Sequence, residues 1–210
     1  MSKVIVFGAA GRAGRAIVTE ALSAVHDVTA AVRTPAKLSS ADQPERFTVV
    51  RADVRDADSV RAAVAGHDVV VSAIGPSGRH ADALYSDGAR AMVSAMRTTG
   101  ATRLIAITSS GVRRDDPNHP LWYRLVARTL MNELYGDMRL MESIISESDV
   151  DWTFVRPARL TDNPPTGTYR VQDGETPSGG WQVPVTDLAR FIVGELDEHR
   201  WSHAAPTLAQ

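Results

Sequence analysis

The chain has 210 residues, is 43% hydrophobic and carries a formal charge of -2, which suits one sizeable core better than two. It contains no cysteine, so disulfides, thiol nucleophiles and cysteine-ligated metals are excluded, and a cytoplasmic address is expected. Charges of both signs are interspersed, no apolar run approaches the roughly 20 residues of a membrane span, and the first strand leaves no room for a signal peptide; neither nucleic acid nor membrane is expected as a partner.

The predicted elements alternate between short β-branched runs and amphipathic segments. Val4 to Phe7 reads as a strand and runs directly into the turn Gly8-Ala9-Ala10-Gly11-Arg12-Ala13-Gly14, from which a helix continues to Ser23. Strands over Asp27 to Val32 and Phe47 to Val50 precede a helix from Ala57 to Ala65, with Asp56 and Asp58 available as N-caps. Asp68 to Ser72 and Leu104 to Thr108 are the next strands, separated by a helix from Ala81 to Thr98; Gly66 and Gly100 stand where helix C-caps belong. A long helix from Leu121 to Ser146 leads to a sixth strand at Trp152 to Val155. From Pro157 to Gly180 proline and glycine are dense and only Thr168 to Val171 looks extended, the texture of a loop or small hairpin over a crevice. A last helix, Val185 to Asp197, has Thr186 as its expected cap, and the tail after Trp201 carries no signal.

This alternation predicts a single α/β domain of Rossmann type: a doubly wound parallel sheet with helices on both faces and a ligand crevice at the carboxyl ends of the strands. The glycine turn lies where that fold binds a dinucleotide. Gly8 permits the tight turn, Gly11 lets backbone amides approach the pyrophosphate, Gly14 lets the helix pack on the sheet, and the helix N-terminus favours the phosphate charge. About 20 residues on, where a carboxylate usually meets the ribose of NAD, stands Arg33. With Arg12 or Lys37 it suits the 2′-phosphate of NADPH. Asp53 and Val54 after the third strand are candidates for the adenine, and Ala73, Ile74 and Gly75 after the fourth for close passage of the dinucleotide; both sets also read as ordinary loop residues.

The only lysines are Lys3 and Lys37, so no tyrosine is followed four residues later by the lysine that lowers a catalytic phenol's pKa. The nearest approach is Tyr135 with Arg139, either a working acid or a packing tyrosine. What remains is direct hydride transfer to a small planar acceptor that stabilises its own charge, such as a flavin, quinone or linear tetrapyrrole. The loop from Arg113 to Tyr123, with His119, Trp122 and Tyr123, and the segment beginning at Arg156 are candidates for its binding surface. Trp122 and Tyr123 read equally as core anchors, and His119 as a solvated loop residue. The histidines show no metal-ligand spacing, and no nucleophile elbow is present.

Val6-Phe7-Gly8-Ala9-Ala10-Gly11, Val32-Arg33, Asp53-Val54, Gly88-Ala89-Arg90, Thr108-Ser109 and Ser146 through Trp152 resemble the atypical short-chain dehydrogenase/reductases that include NmrA-like proteins, most closely the biliverdin reductase B/flavin reductase subgroup. The likeness continues through Pro157, Asp162, Pro165 to Tyr169, Asp173-Gly174, Pro177-Ser178 and Thr186-Asp187-Leu188. Asp149 stands where the group usually carries glycine. The resemblance implies an NADPH-dependent reductase in which Thr108, Ser109 and Pro157 lie along the cofactor and Ser109 sits beside the nicotinamide; capping of a strand end is the other role open to Ser109. It also leaves open an NADP(H)-sensing protein that alters partner binding without turnover, and reduction or isomerisation of a small metabolite through Tyr135.

Overall fold

Near-continuous runs of valine, isoleucine and alanine form strands buried on both faces in the middle of the parallel sheet, while the edge strand over Phe47–Arg51 is only half-buried. In the computed structural model, which describes residues 1–35, 38, 44–78 and 80–210, with Lys37 outside them, these strands are β1 (Lys3–Phe7), β2 (Asp27–Val32), β3 (Phe47–Arg51), β4 (Val69–Ser72), β5 (Arg103–Ile107) and β6 (Asp151–Pro157). Four further strands follow: β7 (Arg159–Thr161), β8 (Arg170–Asp173), β9 (Gln182–Pro184) and β10 (Pro206–Ala209). The main sheet has the order β3-β2-β1-β4-β5-β6-β10-β8, and β7 and β9 form a separate parallel pair. Every pairing in the main sheet is parallel except that of β8 with β10.

Helices cover both faces. On one, α1 (Arg12–Ser23) packs with α6 (Val185–Glu198), burying Ile17, Ala21, Leu188 and Ile192 against Val4, Val6, Val71 and Ile105. On the other, α2 (Ala57–Val64), α3 (Leu84–Thr99) and α5 (Asn132–Ser146) enclose Val60, Met92, Met96, Met141 and Ile145 with Ile5, Val70, Leu104 and Phe154. Burial of each such side chain contributes about 1.5–3 kcal/mol, so the sheet's two faces supply most of what opposes chain entropy.

Several expectations are corrected. The tail after Trp201 contains β10, whose four residues are all buried between β6 and β8. The predicted helix from Leu121 to Ser146 is two helices, α4 (Leu121–Thr129) and α5; α5 buries five residues, whereas α4 only half-buries Tyr123, Arg124, Val126 and Ala127. Helix α3 begins at Leu84, and not at Ala81, since Asp82 and Ala83 adopt left-handed conformations. Its first turn is capped from a distance: the Asp137 carboxylate of α5 accepts from the amides of Tyr85 and Ser86 at 2.8 and 3.2 Å. Asp56 caps α2 as expected, accepting from the amides of Asp58 and Ser59. Thr186 caps nothing; the N-cap of α6 is Pro184, and the neighbouring Asp187, fully buried, accepts from the amides of Thr166 and Gly167. That bond ties the expected loop segment to the body of the domain.

Candidate functional site

Two cavities open at the carboxyl ends of the strands. The larger, about 760 Å³, lies over β1 to β4 and is lined by Gly8, Ala10, Gly11, Arg12, Arg33, Asp53, Val54, Ala73, Ile74 and Gly75, among others. All ten were expected to touch the cofactor, and the topology explains the convergence: β1 to β4 are adjacent, so their C-terminal turns share one rim. A Cβ on Gly8, whose φ is +76°, would fall 2.3 Å from the Ala73 carbonyl oxygen, so only glycine lets the first turn approach the end of β4. A Cβ on Gly14 would fall 2.2 Å from the Gly8 carbonyl oxygen; Gly14 therefore serves helix packing and does not line the cleft. Ala13 does not line it either and packs against the α1 face of the core.

The N-cap of α1 is Gly11, with no side-chain capping bond. The Gly11 amide donates to the Gly8 carbonyl at 2.9 Å and closes the turn; the first amides of α1 beyond it have no intrahelical acceptor. Arg33 is exposed and makes no hydrogen bond or ion pair among the described residues. Arg12 reaches Asp162 at 3.4 Å across the crevice, with both side chains well exposed. Asp53 forms a local turn by accepting from the Arg55 amide at 3.1 Å. Two buried hydroxyls, those of Ser72, the last residue of β4, and of Thr108 after β5, have oxygens without a hydrogen-bond partner among the described residues, and Ser72 lines neither cavity. Such orphans are costly without a ligand or water. A glycine cradle, uncapped helix amides and two cationic rim residues together fit a dinucleotide carrying phosphates.

The smaller cavity, about 490 Å³, lies over β5 and β6 and is lined by Thr108, Ser109, His119, Trp122, Tyr123, Tyr135, Met138, Pro157, Arg159 and Trp181, among others. Of the residues expected along the cofactor, Thr108, Ser109 and Pro157 thus lie in this second chamber and not in the first. Because β4 and β5 are neighbours, the two chambers open side by side along the carboxyl ends of the strands. Trp122, Tyr123 and Trp181 form an aromatic wall, with centroids 5.3 to 5.9 Å apart. Trp122 is 58% exposed; it is a wall of the pocket and not a core anchor.

His119 also departs from expectation. It is buried, edge-on to Tyr123 at 4.7 Å, with Nε2 3.0 Å from the Thr176 hydroxyl. That hydroxyl donates to Asp116 at 2.8 Å, so it can only accept from the ring, and the tautomer protonated on Nε2 follows. Burial holds the His119 pKa below its ordinary value, Asp116 opposes this and Arg124 adds to it.

Arg156 is not a pocket residue. Its guanidinium makes a bidentate pair with Glu142 of α5, at 3.0 and 2.6 Å, largely out of solvent, and Arg159, Leu160 and Trp181 occupy the wall instead. Arg139 does not support the Tyr135 phenol by any hydrogen bond; it donates to the Val112 carbonyl at 3.3 Å. The partner of Tyr135 is Tyr123, with hydroxyls 2.8 Å apart. Ser109 caps the short 3-10 turn Ser110–Val112, accepting from the Gly111 amide at 3.2 Å. Trp181 was missed because it stands alone between glycines and a three-residue strand; its aromatic character was the one available signal. Among the described residues no cluster of three or more histidine and carboxylate side chains could hold a metal ion, and no helix is long and apolar enough to cross a membrane.

A family model described as NAD(P)H-binding matches residues 8–199. A candidate exported protein from Burkholderia pseudomallei is 30% identical, with each chain covered in full and a TM-score of 0.80. A candidate NADH-flavin reductase from Streptococcus pneumoniae is 24% identical over the whole of both chains, with a TM-score of 0.76. A short-chain dehydrogenase/reductase from Veillonella parvula, in complex with NADP, shares the fold: its TM-score is 0.82 over 100% of this chain and 95% of its own, at 18% identity.

Proposed function

Because the chain belongs to the NAD(P)H-binding family, we propose that it is an NADPH-dependent reductase of a planar electron acceptor, such as a flavin, a quinone or a linear tetrapyrrole. The observation that carries this reading is the aromatic pocket of Trp122, Tyr123 and Trp181 adjoining the dinucleotide cleft. Flat conjugated rings stack on such walls, and they accept a hydride without needing a Tyr/Lys dyad to protonate an oxygen in the same step.

In this reading the turn from Gly8 to Gly14 and the first amides of α1 hold the pyrophosphate, and Arg33 with Arg12 holds the 2′-phosphate. Asp53 and Val54 border the adenine, while Ala73 to Gly75, Thr108, Ser109 and Pro157 lead the dinucleotide into the second chamber. The bound nicotinamide supplies the hydride. The chain's own residues orient the two planes face to face and exclude water, which is where proximity lowers the barrier. A cytoplasmic setting suits a chain without cysteine.

The test is the loss of NADPH absorbance with FMN, riboflavin, menadione or biliverdin, with NADH in parallel. Turnover of at least one acceptor above the uncatalysed rate is expected; none with any of them would end the enzyme reading. A second reading, an NADP(H)-sensing interaction protein, draws support from α4: Leu121 and Leu125 are 80% and 64% exposed beside the pocket. It requires that the proteins retained on the immobilised chain change when NADP is added.

A further inference from the structure

The acceptor pocket has one fixed polar point that the hydride-transfer reading does not use. Tyr135 is 4% exposed, and a Cβ on Gly111 would fall 2.4 Å from its Cζ and 2.6 Å from its hydroxyl oxygen. The ring therefore lies directly on the Gly111 backbone, whose amide is held by Ser109. The Tyr123 hydroxyl lies 2.8 Å from that of Tyr135, and the Tyr123 ring contacts those of His119, Trp122 and Trp181. Neither phenolic oxygen has another hydrogen-bond partner among the described residues. Two hydroxyls that share one hydrogen bond have two protons between them; one is consumed and one is left over.

We propose that the Tyr123–Tyr135 hydroxyl pair is the polar recognition point of the acceptor pocket, donating its spare O–H to a ring carbonyl oxygen of the planar acceptor. The pocket thereby selects carbonyl-bearing aromatics over hydrocarbons of the same size. This inference rests on the reading that a planar acceptor occupies the pocket, but it does not need turnover. When an acceptor takes up a hydride, negative charge grows on the ring oxygen, and a donor already aimed there strengthens as it does so. The pair does this as a neutral donor. Burial first, and then Tyr135, push the Tyr123 pKa well above its ordinary value, so the Tyr123 phenol keeps its proton and the reduced acceptor takes its proton from water.

The pair also replaces the partner expected from sequence. Arg139 is spent on the Val112 carbonyl, and a guanidinium beside a phenol would favour the phenolate, which has no proton to donate. A phenol beside a phenol does the reverse.

The experiment measures binding of 1,4-naphthoquinone and naphthalene to the full chain with NADP present, by quenching of tryptophan fluorescence from Trp122 and Trp181. Wild type is expected to bind the quinone about tenfold more tightly than the hydrocarbon, the effect of one hydrogen bond. In Tyr123→Phe/Tyr135→Phe the two affinities converge to within about threefold, with naphthalene bound as before. The infrared carbonyl stretch of the bound quinone is lowered in wild type relative to hexane, and this shift disappears in the double variant. No preference for the quinone in wild type, an unshifted carbonyl, or an unchanged preference in the folded double variant overturns the proposal. The wild-type measurements decide it even if the variant fails to fold. Failure of every acceptor to consume NADPH would instead remove the reductase reading and leave the selectivity standing.

Discussion

Arg33→Asp exchanges the cation at the end of β2 for the carboxylate that NAD-preferring folds carry there. Arg33 is exposed, lines the dinucleotide cleft and makes no hydrogen bond or ion pair among the described residues, so the change breaks no native contact and stability should stay within about 0.5 kcal/mol. A charge-assisted hydrogen bond to a 2′-phosphate contributes about 1.5–3 kcal/mol; solvent screening argues for the lower half of that range, and repulsion between the new carboxylate and the phosphate adds to the loss. At about 1.4 kcal/mol per factor of ten, the dissociation constant for NADPH should rise roughly 10- to 100-fold. NADH, whose 2′-hydroxyl the aspartate can accept from, should weaken by no more than about threefold. Calorimetric titration with both cofactors at two ionic strengths is the assay, and the NADPH loss should shrink at the higher one. Equal losses for the two cofactors, or none for either, would refute the assignment of Arg33 to the phosphate.

Three further substitutions probe the frame around the site. Gly8→Ala places a Cβ 2.3 Å from the Ala73 carbonyl oxygen at a φ of +76°; strain and overpacking should cost about 2–4 kcal/mol by denaturant unfolding. An unchanged midpoint would mean that the turn and β4 are less closely apposed. Glu142→Gln leaves the Arg156 guanidinium, 15% exposed, with a neutral partner and should cost about 2–4 kcal/mol, much of it recovered in Glu142→Gln/Arg156→Met. Acceptor binding should survive in both variants, since neither residue lines the pocket. For His119 the folded pKa is depressed below the ordinary 6.5 by burial, so the unfolded chain binds the proton more readily. The stability this contributes is complete above pH 6.5 and is lost as pH falls through the folded pKa, with a slope below about 1.4 kcal/mol per pH unit. His119→Phe should flatten the unfolding free energy between pH 7 and 5 relative to wild type; the same slope in both would show that the ring is not buried neutral.

The parts of the fold legible from sequence were those built on local periodicity. Strands such as Asp27–Val32 and the helix Arg12–Ser23 coincide with the residues expected of them, because a buried parallel strand and an amphipathic helix each leave a pattern over five or more residues. Strand β10 left none: Pro206–Ala209 is four residues long, and what makes it a strand is the open edge of β6 on one side and β8 on the other. The division of α4 from α5 was equally invisible, since Thr129, Leu130 and Met131 include neither proline nor glycine.

The two chambers differ in the same way. Nearly every cleft residue follows a strand immediately, so the rule that ligands sit at strand ends locates them together without knowledge of contacts. The second chamber is assembled by pairings far apart in the chain: Arg113 with Glu175 at 2.9 Å, the Asn118 side chain with the Thr176 carbonyl at 2.7 Å, and Thr176 with both Asp116 and His119. These bonds clamp the loop before α4 onto the segment after β8, and the clamp is what buries His119 and supports Tyr123 under the aromatic wall. Arg156 was misplaced for the matching reason. Its neighbours Val155 and Pro157 are buried and Arg156 itself is half-buried, and the position of Glu142 on α5 is what pairs its charge within the fold. On the proposed reading, cofactor binding therefore depends on a turn that is contiguous in sequence, whereas acceptor choice depends on side chains brought together by contacts far apart in the chain.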